Sequence, residues 1–141
     1  MSFFDKLRGN TASNLSPHSA MLLACITMIA ADGHVDDDEM AIIHRIDAGE
    51  SPANFNEAVR VWKQVGRSLD CVAVVTPMLN PAQRRFTLAN LVDIAMADGN
   101  LEGAEMQLLE EYLAAFELDE AFVNALAEVI AIKNDRSPFL S

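Results

Sequence analysis

Residues 29–40 read IAADGHVDDDEM and residues 95–106 read AMADGNLEGAEM. Both phrases contain A-D-G, a branched aliphatic residue two places on, an acid directly after it, and E-M at the end, at a constant offset of 66 positions. A phrase repeated at a fixed offset marks an internal repeat, so each half of the chain is expected to build the same local unit. In both copies an apolar run leads into the phrase and an amphipathic run follows it. That order predicts helix–turn–helix, with Gly33 and Gly99 taking the left-handed conformation that ends a helix.

The remaining punctuation extends this reading. Ser16-Pro17 opens an almost wholly apolar helix that runs to Ala31, with Ser16 as N-cap and Pro17 in the first turn. A second helix is predicted from about Asp36, where Asp36 and Glu39 have the spacing of a capping box, to just before Gly49. Ser51-Pro52 starts a third, carrying Phe55, Val59, Trp62 and Val65 at helical spacing. The short run DCVAVVTPML follows as a helix ending near Pro77, although its Val72–Val75 stretch also suits a strand. Asn80-Pro81 begins a long helix to Gly99, with Phe86, Leu88, Leu91, Val92 and Ala95 directed inward. Two more are predicted at 102–116, with Met106, Leu109 and Leu113 in register, and at 119–132, with Phe122, Leu126, Val129 and Ile130. The fold class is therefore all-α: a compact bundle of seven to eight helices built from two pseudo-repeated helix–turn–helix units. Residues 1–16 read as a short helix and linker, 17–133 as the domain, and 134–141 as a loose tail.

Turn chemistry alone explains much of the repeated phrase, since glycine stops one helix and glutamate caps the next. Asp32 and Asp98 resist that explanation. Each sits in the last turn of a helix, where the dipole disfavours an acid by ~0.3–1 kcal/mol, and each precedes a glutamate by seven residues. A cation is the simplest compensation. The second half of an EF-hand calcium loop has the pattern D-G-x-[ILV]-x-x-x-E, which residues 32–39 and 98–105 both match. The first half is missing, because Met28 and Ala30, then Ile94 and Met96, stand where its acids belong. Neither loop is an EF-hand, and a complete ligand set needs oxygens from the twin copy, from water or from another chain. Oxygen donors favour Ca²⁺, Mg²⁺ or Mn²⁺ over softer metals. His34 has Asn100 as its counterpart and reads as a solvated loop residue.

The repeated A-D-G-x-[VL]-[DE]-x-x-E phrase resembles the signature of the TerB-like family, named for tellurite resistance, and the opening MSFFDKLRG is similar to the start of proteins in that family. The resemblance implies a compact helical domain with internal pseudo-twofold symmetry, acidic residues that chelate a metal ion, and a place in a cytoplasmic stress-response system. It also implies work beside Ca²⁺-binding TerD-like proteins and a TerC-like membrane protein. Carried over by position, the metal residues are Asp32, Asp36 and Glu39 in the first copy and Asp98, Glu102 and Glu105 in the second. Asp37 and Asp38 have Gly103 and Ala104 as counterparts, so the first copy is the more anionic. If the two apolar helices 17–32 and 81–98 pack together, their acidic ends come into one neighbourhood.

Composition bounds the alternatives. Ten basic against 21 acidic residues give a net charge of −11, which argues against binding a phosphate backbone and favours cations or basic partner surfaces. The longest apolar run, residues 20–31, is shorter than the roughly 20 residues a bilayer requires, so no direct membrane insertion is expected. The start carries no secretory pattern, which points to the cytoplasm. Cys25 and Cys71 lie in apolar stretches and read as buried free thiols. No phosphate loop, H-E-x-x-H or G-x-S-x-G occurs, so no catalysis is expected. The rival reading is a protein-interaction adaptor whose acidic surface docks a basic partner, with the repeated phrase purely structural. Phe3, Phe4 and Phe139 are candidates to anchor a second copy as a homo-oligomer.

Overall fold

The computed structural model describes residues 15–32, 43, 45, 46, 52–97 and 103–140. Among them are six α-helices: α1 (Pro17–Ile29), α2 (Pro52–Val65), α3 (Ser68–Val75), α4 (Pro81–Ala95), α5 (Gly103–Ala115) and α6 (Glu120–Asn134). Ile43, Arg45 and Ile46 are also helical, while the rest of the helix expected at 36–48, and the short one near the N-terminus, fall outside the described residues. No strand occurs among the described residues, and Val72–Val75, the stretch that also suits a strand, forms the second half of α3 as the helical reading expects. Helix α4 ends at Ala95, a few residues earlier than the expected stop at Gly99, and Met96 and Ala97 form a turn. The tail contains a 3₁₀ turn at Ser137–Phe139.

Helix α1 is the hub. Ten of the eleven positions from Ser19 to Ile29 are buried and Ile26 is partly covered, because α2, α3, α4 and α5 all pack against this helix. A helix apolar on every side requires neighbours on every side. The two apolar helices α1 and α4 pack together as expected. Leu22, Leu23 and Met28 of α1 join Leu88, Leu91 and Ile94 of α4 and Leu108 of α5 in one core. Helix α6 lies on the periphery against α4, and Lys133 reaches Asp93 at 3.3 Å to tie them, with Arg45 at 3.8 Å from the same carboxylate.

The helix starts are chemically explicit. Ser16 accepts from the Ser19 amide at 3.0 Å, and its own amide donates to Glu57 of α2 at 3.3 Å. Asn80 and Gln83 form a complete capping box on α4, each side chain accepting from the other's backbone at 2.8 Å. Asp119 accepts from Phe122 to start α6. Three expectations about the core fail. Phe86 is 57% exposed, Met106 39% and Val129 64%, because these residues lie off the stripes that the neighbouring helices cover. No helix among the described residues is long and apolar enough to cross a membrane.

Candidate functional site

The chain does not leave helix α1 at Ile29. A tighter 3₁₀ turn, Ala30–Asp32, follows directly, and α5 packs on that turn. The end of the first repeated phrase's helix thus meets the helix that starts inside the second phrase. Gly103, Ala104 and Glu105 form the opening turn of α5. Glu105 is only 3% exposed, whereas Glu110, Glu111, Glu117, Glu120 and Glu128 are all exposed. Burying an ionised carboxylate costs several kcal/mol unless charge and hydrogen bonds compensate it. Its place in a first turn supplies part of that compensation through the helix dipole, and Glu105 has a partner.

Of the six residues expected to hold a metal, Glu105 is described in full, and Asp32 by its backbone as the last residue of the 3₁₀ turn. Asp36, Glu39, Asp98 and Glu102 lie outside the described residues. Among the described residues, no group of three or more His, Cys, Asp or Glu gathers as a metal would require. The structure therefore brings together the carriers of Asp32 and Glu105, one from each copy. Their donors are carboxylate oxygens, which suit a hard cation.

Beside this junction lies a cavity of about 340 Å³, bordered by Ala30, Ala31, Trp62, Arg67, Ala104 and Gln107. Two of its walls, Ala31 and Ala104, immediately precede Asp32 and Glu105 in the chain. Arg67 is the residue that sequence reasoning missed. Its only signal is Gly66, which takes a positive φ of 81°, turns the chain after α2 and leaves Arg67 at the head of α3.

The other chemically distinctive side chains are structural. Cys25 and Cys71 are free and buried, as expected. Burial pushes both thiols up to about 12, helped at Cys71 by the charge of Asp70, so neither is a nucleophile near neutral pH. Fully buried Tyr112 of α5 is 2.8 Å from Thr27 of α1. Arg84 donates to the Thr76 carbonyl at 3.0 Å, which caps the end of α3 rather than facing an external anion.

Residues 18–128 match the family described as Tellurite resistance protein TerB. That span starts within α1 and ends within α6, so it includes both repeated phrases and the junction between α1 and α5. No curated protein and no solved structure matches the chain.

Proposed function

The chain belongs to the TerB family, and from that premise we propose that it is a non-enzymatic module that binds a divalent cation through its acidic turns, within a tellurite-resistance or stress-response system. The observation that carries the reading is the packing of α5, with Glu105 buried in its first turn, on the turn that ends in Asp32. Two anionic segments from distant parts of the chain share one end of the bundle. Asp32, Asp36 and Glu39 from the first copy and Asp98, Glu102 and Glu105 from the second would hold the ion. Ca²⁺, Mg²⁺ or Mn²⁺ suits an all-oxygen set. The bound ion would neutralise carboxylates that otherwise repel one another and so stiffen both acidic turns.

On this reading the protein works in the cytoplasm, and its output is a metal-dependent surface rather than a product. The partners are proteins of the same system, a TerC-like membrane protein or Ca²⁺-binding TerD-like proteins. Titration calorimetry with Ca²⁺, Mg²⁺ and Mn²⁺ tests the proposal. Saturable binding is expected in the wild type, and loss of binding in Asp32→Asn with Asp98→Asn while the helical circular dichroism is retained. Absence of heat at millimolar cation would remove the metal reading and leave the acidic adaptor.

A further inference from the structure

We propose that the cavity beside the junction of α1 and α5 seats a ligand with a carboxylate on an apolar body, and only while the acidic turns hold their cation. The inference rests on the cation reading of those turns and adds what binds beside the ion. The cavity of about 340 Å³ has Ala30 and Ala31, in the turn after α1, and Ala104, in the first turn of α5, among its walls. Three methyl groups leave room that larger side chains would fill. Trp62 of α2 and Leu69 of α3, the latter 40% exposed, supply apolar surface. The volume lies at the low end of the roughly 300–1,000 Å³ of small-molecule sites, which fits one compact group rather than a helix.

Charge selects the polar end of the ligand. Arg67 borders the same cavity, is exposed and makes no ion pair among the described residues. Its guanidinium is a planar fork that matches one carboxylate. Acids nevertheless outnumber cations around it. Asp70 stands in the first turn of α3 and Glu105 in that of α5. Glu111 lies one turn beyond Gln107 of the cavity wall, and Ala31 leads into Asp32. Lys63, next to Trp62, adds a second positive charge and leaves the balance negative. Alone, this field repels an anion. A divalent ion in the acidic turns reverses that. Hard cations take about six to eight oxygens, more than one carboxylate from each copy supplies, so an outside carboxylate is drawn to the ion and to Arg67 together. A phosphate dianion would bring a second negative charge to a chain already at −11, which favours the carboxylate. Ion and ligand then tighten each other by the same factor.

Titration calorimetry on the full chain tests this, with N-acetylphenylalanine and benzoate as probes, each with and without saturating Ca²⁺, Mg²⁺ or Mn²⁺. Saturable probe binding is expected with the cation and none without it, and the probe should raise cation affinity by the same factor. The uncharged N-acetylphenylalanine amide should not bind. Arg67→Gln should weaken the probe roughly tenfold or more, as loss of a charged fork does, and leave cation affinity without probe unchanged. Ala104→Leu, at an exposed position, should block the cavity with the same result and unchanged circular dichroism. Preference for N-acetylphenylalanine assigns the site to the C-terminal carboxylate of a peptide, and preference for benzoate to a free acid. Cation binding that no probe alters overturns the proposal and leaves the metal reading standing. Probe binding that ignores the cation, or that survives Arg67→Gln, overturns it as well. Absence of cation binding removes both.

Discussion

Thr27 has one hydroxyl proton and two neighbours close enough to share it: the Ala24 carbonyl at 2.6 Å and the Tyr112 hydroxyl at 2.8 Å. A carbonyl only accepts, so the Thr27 proton goes to Ala24 and the Tyr112 hydroxyl donates to Thr27. The two partners are therefore not equivalent. Tyr112→Phe leaves Thr27 bonded to Ala24 and is expected to cost about 1 kcal/mol. Thr27→Val strands the Tyr112 hydroxyl in the core and is expected to cost ~1–3 kcal/mol. Urea denaturation of both variants and of the double variant checks the order, and the double should cost less than the sum. A Tyr112→Phe penalty larger than that of Thr27→Val would refute the assignment. The two thiols make a second test at this scale. Each rises from 9.0 to about 12 on folding, so the folded state holds these protons more tightly than the unfolded state. Their contribution is complete below pH 9 and is lost as pH climbs towards 12. Alkaline titration of stability should fall over that window, and less steeply in Cys25→Ala with Cys71→Ala. Tyr112, also raised by burial, steepens the same limb.

Helix ends show the next level of control. Helix α5 ends in a Schellman arrangement: Leu118 donates to the Leu113 carbonyl and Glu117 to that of Ala114, each at 3.1 Å. This geometry puts Glu117 at φ 59°, the one non-glycine residue with positive φ among those described. A side chain costs ~1–2 kcal/mol in that conformation. Glu117→Gly is therefore expected to raise stability by up to about 1 kcal/mol, and Gly66→Ala, at φ 81°, to lower it by a similar amount; thermal melts of the two variants should move in opposite directions. Nothing in the local sequence announces Glu117, because glutamate is an ordinary helix residue and carries no signal for the left-handed conformation. Helix starts were far more legible. Ser16-Pro17 and Asn80-Pro81 combine a capping side chain with a proline that needs no amide partner, and both open helices where expected. Val72–Val75 was ambiguous because a short β-branched run suits either class until its neighbours are known. Phe86 and Val129 depart from the expected core for a related reason. Periodicity shows that a helix has an apolar stripe, but the width actually covered depends on which helices pack there.

The meeting of α5 with the Ala30–Asp32 turn was only partly legible, since the duplicated phrase marks both acidic segments but their approach depends on packing between distant helices. What that approach does depends on the charge of the whole chain. At −11, the folded state repels itself more strongly than the expanded chain does, so any added salt should stabilise it to some degree by screening. Screening depends on ionic strength, whereas occupation of a site depends on the chemistry of the ion. The two separate when NaCl and the chlorides of Ca²⁺, Mg²⁺ or Mn²⁺ are compared at matched ionic strength. A site filled at a hundredfold excess over its dissociation constant adds about 2.7 kcal/mol, which for a chain of this size is a shift in Tm of roughly 5–10 °C. That excess over NaCl is expected for the wild type with its preferred ion. Asp32→Asn with Asp98→Asn should remove the excess and keep the NaCl response, because two charges fewer leave the global field almost unchanged. Equal shifts for monovalent and divalent salts in the wild type would mean that the acidic turns contribute only to the overall charge.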